Sequence, residues 1–318
     1  MPDRVPALLK RIPRPHRYAF WGVWLAGLFA HGYMLANKLP NHDDVQSFLT
    51  KGAGLSSGRW GLALVGRLDG SYSAPWMLGL FSLLLLAVTA MLLVEILEIQ
   101  KPLFAALAGG VLVAFPTVTS MFAYMFASDA YALSVLLAVL AAWLARRGRW
   151  CLLAAAGCVV ASLSIYQAFF GWTAALLVYG LYAQSIRPGA EAKKIFWAGL
   201  GQAGALALGM VAYLGLTRLF LALFDSELDG YMNLNQMGEF HLAWLPGQLR
   251  EAYGVFFGVW KPGGGQGLAT TSSIRLLLTG CLTLLCVFMA GGILRQLRRR
   301  RYAEAALALR RSFRWRST

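Results

Sequence analysis

Residues 76–96 read WMLGLFSLLLLAVTAMLLVEI, with a single charge, Glu95, close to the end. At ~1.5 Å per residue, a helix of this run is about as long as a bilayer's hydrocarbon core is thick. Similar runs recur near 18–36, 103–121, 130–145, 151–165, 168–186, 195–222 and 272–294. Hydrophobic residues make up 58% of the 318 positions and charged ones only 14%, a balance that a soluble domain does not carry in uninterrupted runs. The expected fold class is therefore all-α, a polytopic integral membrane protein of about eight transmembrane helices. Segment 151–183 is too long for one crossing, and the polar group Ser162, Ser164, Tyr166 and Gln167 predicts a tight reversal between two short helices.

Eight crossings put both ends of the chain on one side, and the basic residues say which. The tail 1–17 holds Arg4, Lys10, Arg11, Arg14 and Arg17, and the tail 295–318 holds nine arginines. Short loops add Lys101, Arg146, Arg147, Arg149, Arg187, Lys193 and Lys194, so most of the 29 Lys and Arg fall on one face. That face is expected to be cytoplasmic. The net charge of +15 is thus mainly a topology signal, and nucleic acid is not an expected partner because the cations flank spans rather than form a basic domain. Segment 18–36 lacks a small-residue cleavage site after it and reads as an anchor. Cys151, Cys158, Cys281 and Cys286 all fall in spans, without metal spacing, and read as small buried apolar residues.

Two outward loops are long, about 37–75 and 223–271. Loops beyond ~12–15 residues are usually functional or disordered, and Trp244, Tyr253, Phe256, Phe257 and Trp260 argue for order in the second. The first reads as two short helices around Gly52, Gly54, Ser56, Ser57 and Gly58, with Trp60, Leu64 and Leu68 lying against the membrane surface. The end of the chain alternates a basic stop, Arg298 to Arg301, with the apolar start Tyr302 to Leu309. It reads either as a surface helix on anionic lipid or as a chain ending early.

The first loop carries an adjacent acidic pair, Asp43 and Asp44. A carboxylate held at a bilayer surface serves as a general base, whereas Asn41 followed by acids also describes a capped helix start. Arg59 and Arg67 present forks suited to phosphate at headgroup level, or are ordinary interfacial arginines. Lys261, beside Trp260 and Gly263 to Gly265, is a further phosphate candidate or part of a plain flexible turn. Asp129 lies at the outer edge of a span, as a functional acid or as a first-turn acid of the next helix. Tyr166 and Gln167 suit sugar contact or a hydrogen-bonded turn, while His31 and His241 read as structural. No HExxH, CxxC, P-loop or dinucleotide motif appears; acidic loops bind divalent cations elsewhere, but no ligand spacing here demands one.

The order of these segments carries a resemblance. Asn41-His42-Asp43-Asp44 and Ser57-Gly58-Arg59-Trp60 are followed by Phe115-Pro116-Thr117, Phe122-Ala123-Tyr124, Ser128-Asp129-Ala130-Tyr131 and Ser164-Ile165-Tyr166-Gln167-Ala168. Over roughly 15–295 the chain resembles the serotype-converting O-antigen glucosyltransferases of the Gtr type II group, polytopic enzymes of the GT-C class. The basic end departs from the further spans such proteins carry. The resemblance implies a transmembrane glycosyltransferase domain over 18–294, in the bacterial inner membrane with its active site periplasmic. It implies a polyprenyl-phosphate-linked sugar as donor, O-antigen lipopolysaccharide as acceptor, and a donor synthase and flippase as partners. It places the general base at Asp44 or Asp43. The donor phosphate is then expected at Arg59, Lys261 and Arg67, and the sugars at Asp129, Tyr166, Gln167, Trp60 and Trp260. An O-antigen polymerase needs no fixed acidic base. A flippase or transporter of lipid-linked sugars predicts midplane charges and repeated halves, and few such charges and no repeat are visible.

Overall fold

The computed structural model describes residues 12–37, 54–68, 74–187, 189–230, 235–236 and 242–258, with single helical positions between 276 and 298. Among them there are helices and no strand. They run α1 (Arg14–Ala36), α2 (Trp60–Leu68), α3 (Pro75–Ile96), α4 (Pro102–Ala114), α5 (Pro116–Ala123), α6 (Ser128–Ala145), α7 (Cys151–Ile165), α8 (Phe170–Ser185), α9 (Ala192–Leu223) and α10 (Leu245–Gly258). Proline opens α1, α3, α4 and α5, where its missing N–H costs no intrahelical bond. The chain divides into two compact units, 1–238 and 239–318. The second contributes α10, a 14-residue helix inside the predicted second loop, exposed over 245–254.

Among the described residues, four helices are long and apolar enough to cross a membrane: α1, α3, the segment Met125–Ala145 and α9; a bent pair, counted as one span, makes a fifth. This bears out a polytopic helical membrane protein, while the expected eight crossings are reached only in part. The run 103–121, read as one span, is broken: α4 and α5 meet at a 47° bend. Pro116 supplies no N–H to the turn before it and holds Phe115 extended, at φ −64 and ψ 138. His31 of α1, buried, donates from Nε2 to the Val113 carbonyl beside the break, 2.9 Å away, and stacks on Phe122. Its role there is structural, as expected. The predicted span 272–294 lies mostly outside the described residues.

The reversal at 166–169 is real. Tyr166 is extended, a short 3-10 turn spans Gln167–Phe169, and α8 runs back along α6. Thr173 Oγ1 donates to the Ala138 carbonyl at 2.8 Å, Leu177 packs with Ala145 and Ile96, and Arg187 pairs with Glu98. With 15 and 16 residues, α7 and α8 are each shorter than a full ~20-residue span.

At the centre is α6, whose alanines at 130, 132, 138, 141, 142 and 145 are buried. Small side chains on several faces let α3, α7 and α8 approach it closely, the packing that works where lipid removes the hydrophobic drive between helices. Ser134 and Ser162 clamp α6 to α7 by donating to each other's carbonyls, both at 2.9 Å. On the outside, Trp21, Leu25 and Phe29 of α1 stay exposed, Phe29 by 95%. Lipid solvates such a stripe. Cys151 and Cys158 are half-buried and Cys286 is exposed, which corrects the expectation of buried thiols; on a lipid-facing helix an apolar side chain has no need of protein cover. Cys281 lies outside the described residues.

Close backbone contact joins α1 to α4. A Cβ at Gly22 would overlap the Ala106 carbonyl, and one at Gly109 the Ala19 carbonyl. Gly22→Val is therefore expected to destabilise the fold by about 1–3 kcal/mol, read as a lowered thermal midpoint in detergent. An unchanged midpoint would show that the two helices do not approach so closely.

The two ends of the first unit differ in chemistry. At one, Arg147 pairs with Glu95 at 2.6 Å and lies over the Trp143 ring, Arg187 pairs with Glu98, and Arg146 donates to the Ile96 carbonyl at 2.9 Å. His16 of α1 reaches Glu95 at 3.8 Å. Arg146, Arg147 and Arg187, three of the cations read as sharing one face, thus gather at one end. The opposite end holds the start of α2, the reversal and the last turns of α9.

Candidate active site

At that opposite end the chain turns tightly before α2. Gly58 N–H donates to Leu55 O at 2.9 Å and Arg59 N–H to Gly54 O. Gly58 has φ 71, the left-handed region that a Cβ disfavours, so glycine closes the turn. Asp229 N–H, from the segment after α9, donates to Ser56 O at 2.8 Å and ties the turn to α9's exit. Arg59 stands at the junction of turn and helix.

Its side chain is held from two sides. The guanidinium lies over the Tyr166 ring, 4.7 Å from the centroid, a cation–π contact. Its Nε donates to Gln167 Oε1 at 3.4 Å. Gln167 Nε2 donates to the Ser57 carbonyl and to the Tyr213 hydroxyl, both at 2.9 Å, and that hydroxyl donates to the Gly58 carbonyl at 3.1 Å. Behind Tyr166 an aromatic series continues through Tyr131 of α6, 4.9 Å away, and Phe169, 5.4 Å away. Among the described residues, Nη1 and Nη2 of Arg59 have no hydrogen-bond partner.

Three of the expected residues, Arg59, Tyr166 and Gln167, therefore converge, although more than a hundred positions separate Arg59 from the other two. Trp60 adjoins them in a packing role: Nε1 donates to Thr217 Oγ1 at 3.2 Å, and the ring lies against Phe220. That corrects its expected place on the membrane surface; α2 buries Gly61, Leu62 and Gly66 and leaves Leu64 exposed. Arg67 is on α2, its side chain outside the described set. Asp43, Asp44, Trp260, Lys261 and His241 lie outside the described residues.

Asp129 is a first-turn acid of α6 and is 3% exposed. It also lines a cavity of about 880 Å³ whose other walls include Trp24, Val65, Trp76, Phe81 and Leu84. The cavity is apolar apart from this acid and lies between α1, α2, α3 and α6. Among the described residues no three His, Cys, Asp or Glu side chains gather as a metal site.

Tyr213 and Thr217 escaped notice in the sequence because they sit inside an apolar run. They had a signal: polar residues four apart share a helix face, and Gln202, Ala205, Gly209, Tyr213 and Thr217 form the buried stripe of α9.

Fold and site together define a polytopic helical membrane protein that presents an oriented cation at one end of its bundle. A family model for glucosyl transferase GtrII matches residues 32–309, and the chain belongs to that family; it is a glycosyltransferase. No curated protein and no solved structure matches the chain.

Proposed function

We propose that the protein moves a glucosyl, or related hexosyl, residue from a polyprenyl-phosphate donor to O-antigen or a similar periplasmic surface glycan. The observation that carries this is Arg59, its fork held by Tyr166 and Gln167 with two nitrogens directed to no described partner. Family membership supplies sugar transfer, and a preset arginine fork suits the phosphate leaving group of a lipid-linked donor. In this reading the enzyme is GT-C-like, sits in the bacterial inner membrane with both termini cytoplasmic, and works at the periplasmic face beside a donor synthase and flippase.

The chemistry is a single displacement. A carboxylate takes the proton of the acceptor hydroxyl as its oxygen attacks the anomeric carbon, the C–O bond to phosphate breaks, and the configuration inverts. Phosphate departs as an anion without a general acid, so Arg59, Lys261 and Arg67 stabilise the charge that develops on it. Asp44 is the base in preference to Asp43; adjacent residues on a helix point about 100° apart, and only one faces the acceptor. Tyr166 and Trp260 flank the sugars. The test is transfer from polyprenyl-phosphate glucose to lipopolysaccharide in membranes, with anomeric configuration read by NMR. Retention of configuration, or no transfer from this donor, removes the reading.

The lateral cavity fits the donor's hydrocarbon chain. Its apolar walls solvate prenyl units, and Tyr131, two residues beyond Asp129 on α6, meets Tyr166 beneath Arg59. Filling it with Leu84→Trp is expected to raise KM about tenfold for a long-chain donor while leaving a two-isoprene donor unaffected. Equal KM changes for both would place the chain elsewhere.

A further inference from the structure

We infer that Gln167 and Tyr213 are positioning residues: they aim the Arg59 guanidinium at the donor phosphate while leaving its charge intact. This rests on the phosphate role proposed for Arg59.

The amide orientation of Gln167 follows from its neighbours. The Ser57 carbonyl only accepts, so the atom facing it at 2.9 Å is the NH2 group, and the oxygen must face Arg59. Both amide hydrogens are then spent, one on Ser57 and one on Tyr213, which leaves no donor for a sugar hydroxyl. Gln167 therefore differs from the sugar ligand its sequence position suggests. Tyr213, 1% exposed, completes the arrangement by accepting from Gln167 and donating to Gly58 O. Together they fasten the turn 54–59 at the carbonyls of Ser57 and Gly58, the two residues that lead into Arg59.

A neutral acceptor matters at this point. A carboxylate facing Arg59 would form a charge-assisted, bidentate pair, occupy the fork and cancel the charge an incoming phosphate needs. An amide oxygen restrains Nε without doing either. Holding the side chain in its working geometry beforehand also removes part of the ordering cost of binding.

The test uses the full-length protein in nanodiscs and sugar-free polyprenyl phosphate as the probe. Gln167→Glu is expected to weaken binding of that probe about tenfold or more and to flatten its dependence on salt, with a lowered thermal midpoint because a carboxylate oxygen replaces the NH2 group facing the Ser57 carbonyl. Tyr213→Phe is expected to raise KM for the glucosylated donor several-fold with kcat little changed, because the ring still packs and only the latch is lost. Wild-type affinity for sugar-free polyprenyl phosphate in Gln167→Glu, with a loss confined to the glucosylated donor, would overturn the inference and make Gln167 a sugar ligand. So would a wild-type KM in Tyr213→Phe. Arg59→Ala separates the two levels of argument: if it binds the probe as tightly as wild type, the phosphate role itself fails.

Discussion

Replacing both acids of the first loop, Asp43→Asn with Asp44→Asn, is expected to cut sugar transfer by about 10²–10⁴-fold, the range over which a positioned general base contributes. The acceptor is a sugar hydroxyl, which attacks poorly until its proton is drawn off. Asparagine keeps size and hydrogen bonding but takes no proton, so the loss should fall on kcat while donor affinity stays near normal. The single variants rank the two acids: Asp44→Asn is expected to account for most of the deficit. A double variant with full activity in membranes would end the base assignment. Loss of protein from the membrane, by contrast, would point to the helix-capping role these acids also fit.

Arg59→Ala is expected to lower kcat by about 10²–10³-fold and to weaken the donor as well, as removal of one preorganised charge at a departing anion does. Arg59→Lys should recover only part of this. Lysine returns the charge, but it neither lies flat on the Tyr166 ring nor offers two parallel N–H groups to a phosphate. Steady-state rates with polyprenyl-phosphate glucose, beside equilibrium binding of the same donor, measure both effects. A kcat within threefold of wild type in Arg59→Ala would move phosphate stabilisation elsewhere, with Lys261 next in line.

Asp43 and Asp44 stand out by adjacency and loop position, whereas Arg59 is marked by its surroundings. As a residue in Ser57-Gly58-Arg59-Trp60 it resembles any interfacial arginine. Its oriented fork depends on Tyr166 and Gln167, from a turn more than a hundred residues later, and on Tyr213, from the middle of an apolar run. Contacts at that separation leave no periodic trace in the chain. Trp60 shows the opposite error: its type and place suit a membrane surface, yet Thr217 and Phe220 supply a better partner inside the bundle.

Composition alone determined that this chain is helical and membrane-bound, because backbone polar groups in lipid must be satisfied within each segment. Local polarity likewise marked the reversal at 166–169, since Ser162, Ser164, Tyr166 and Gln167 interrupt an otherwise apolar stretch. The bend at Pro116, the close approach of Gly22 to Ala106 and the aim of Arg59 were decided only in three dimensions. In lipid, apolar side chains gain little by choosing one helix face over another. Which helices meet, and which polar groups they bring together, is left to shape and to a few hydrogen bonds.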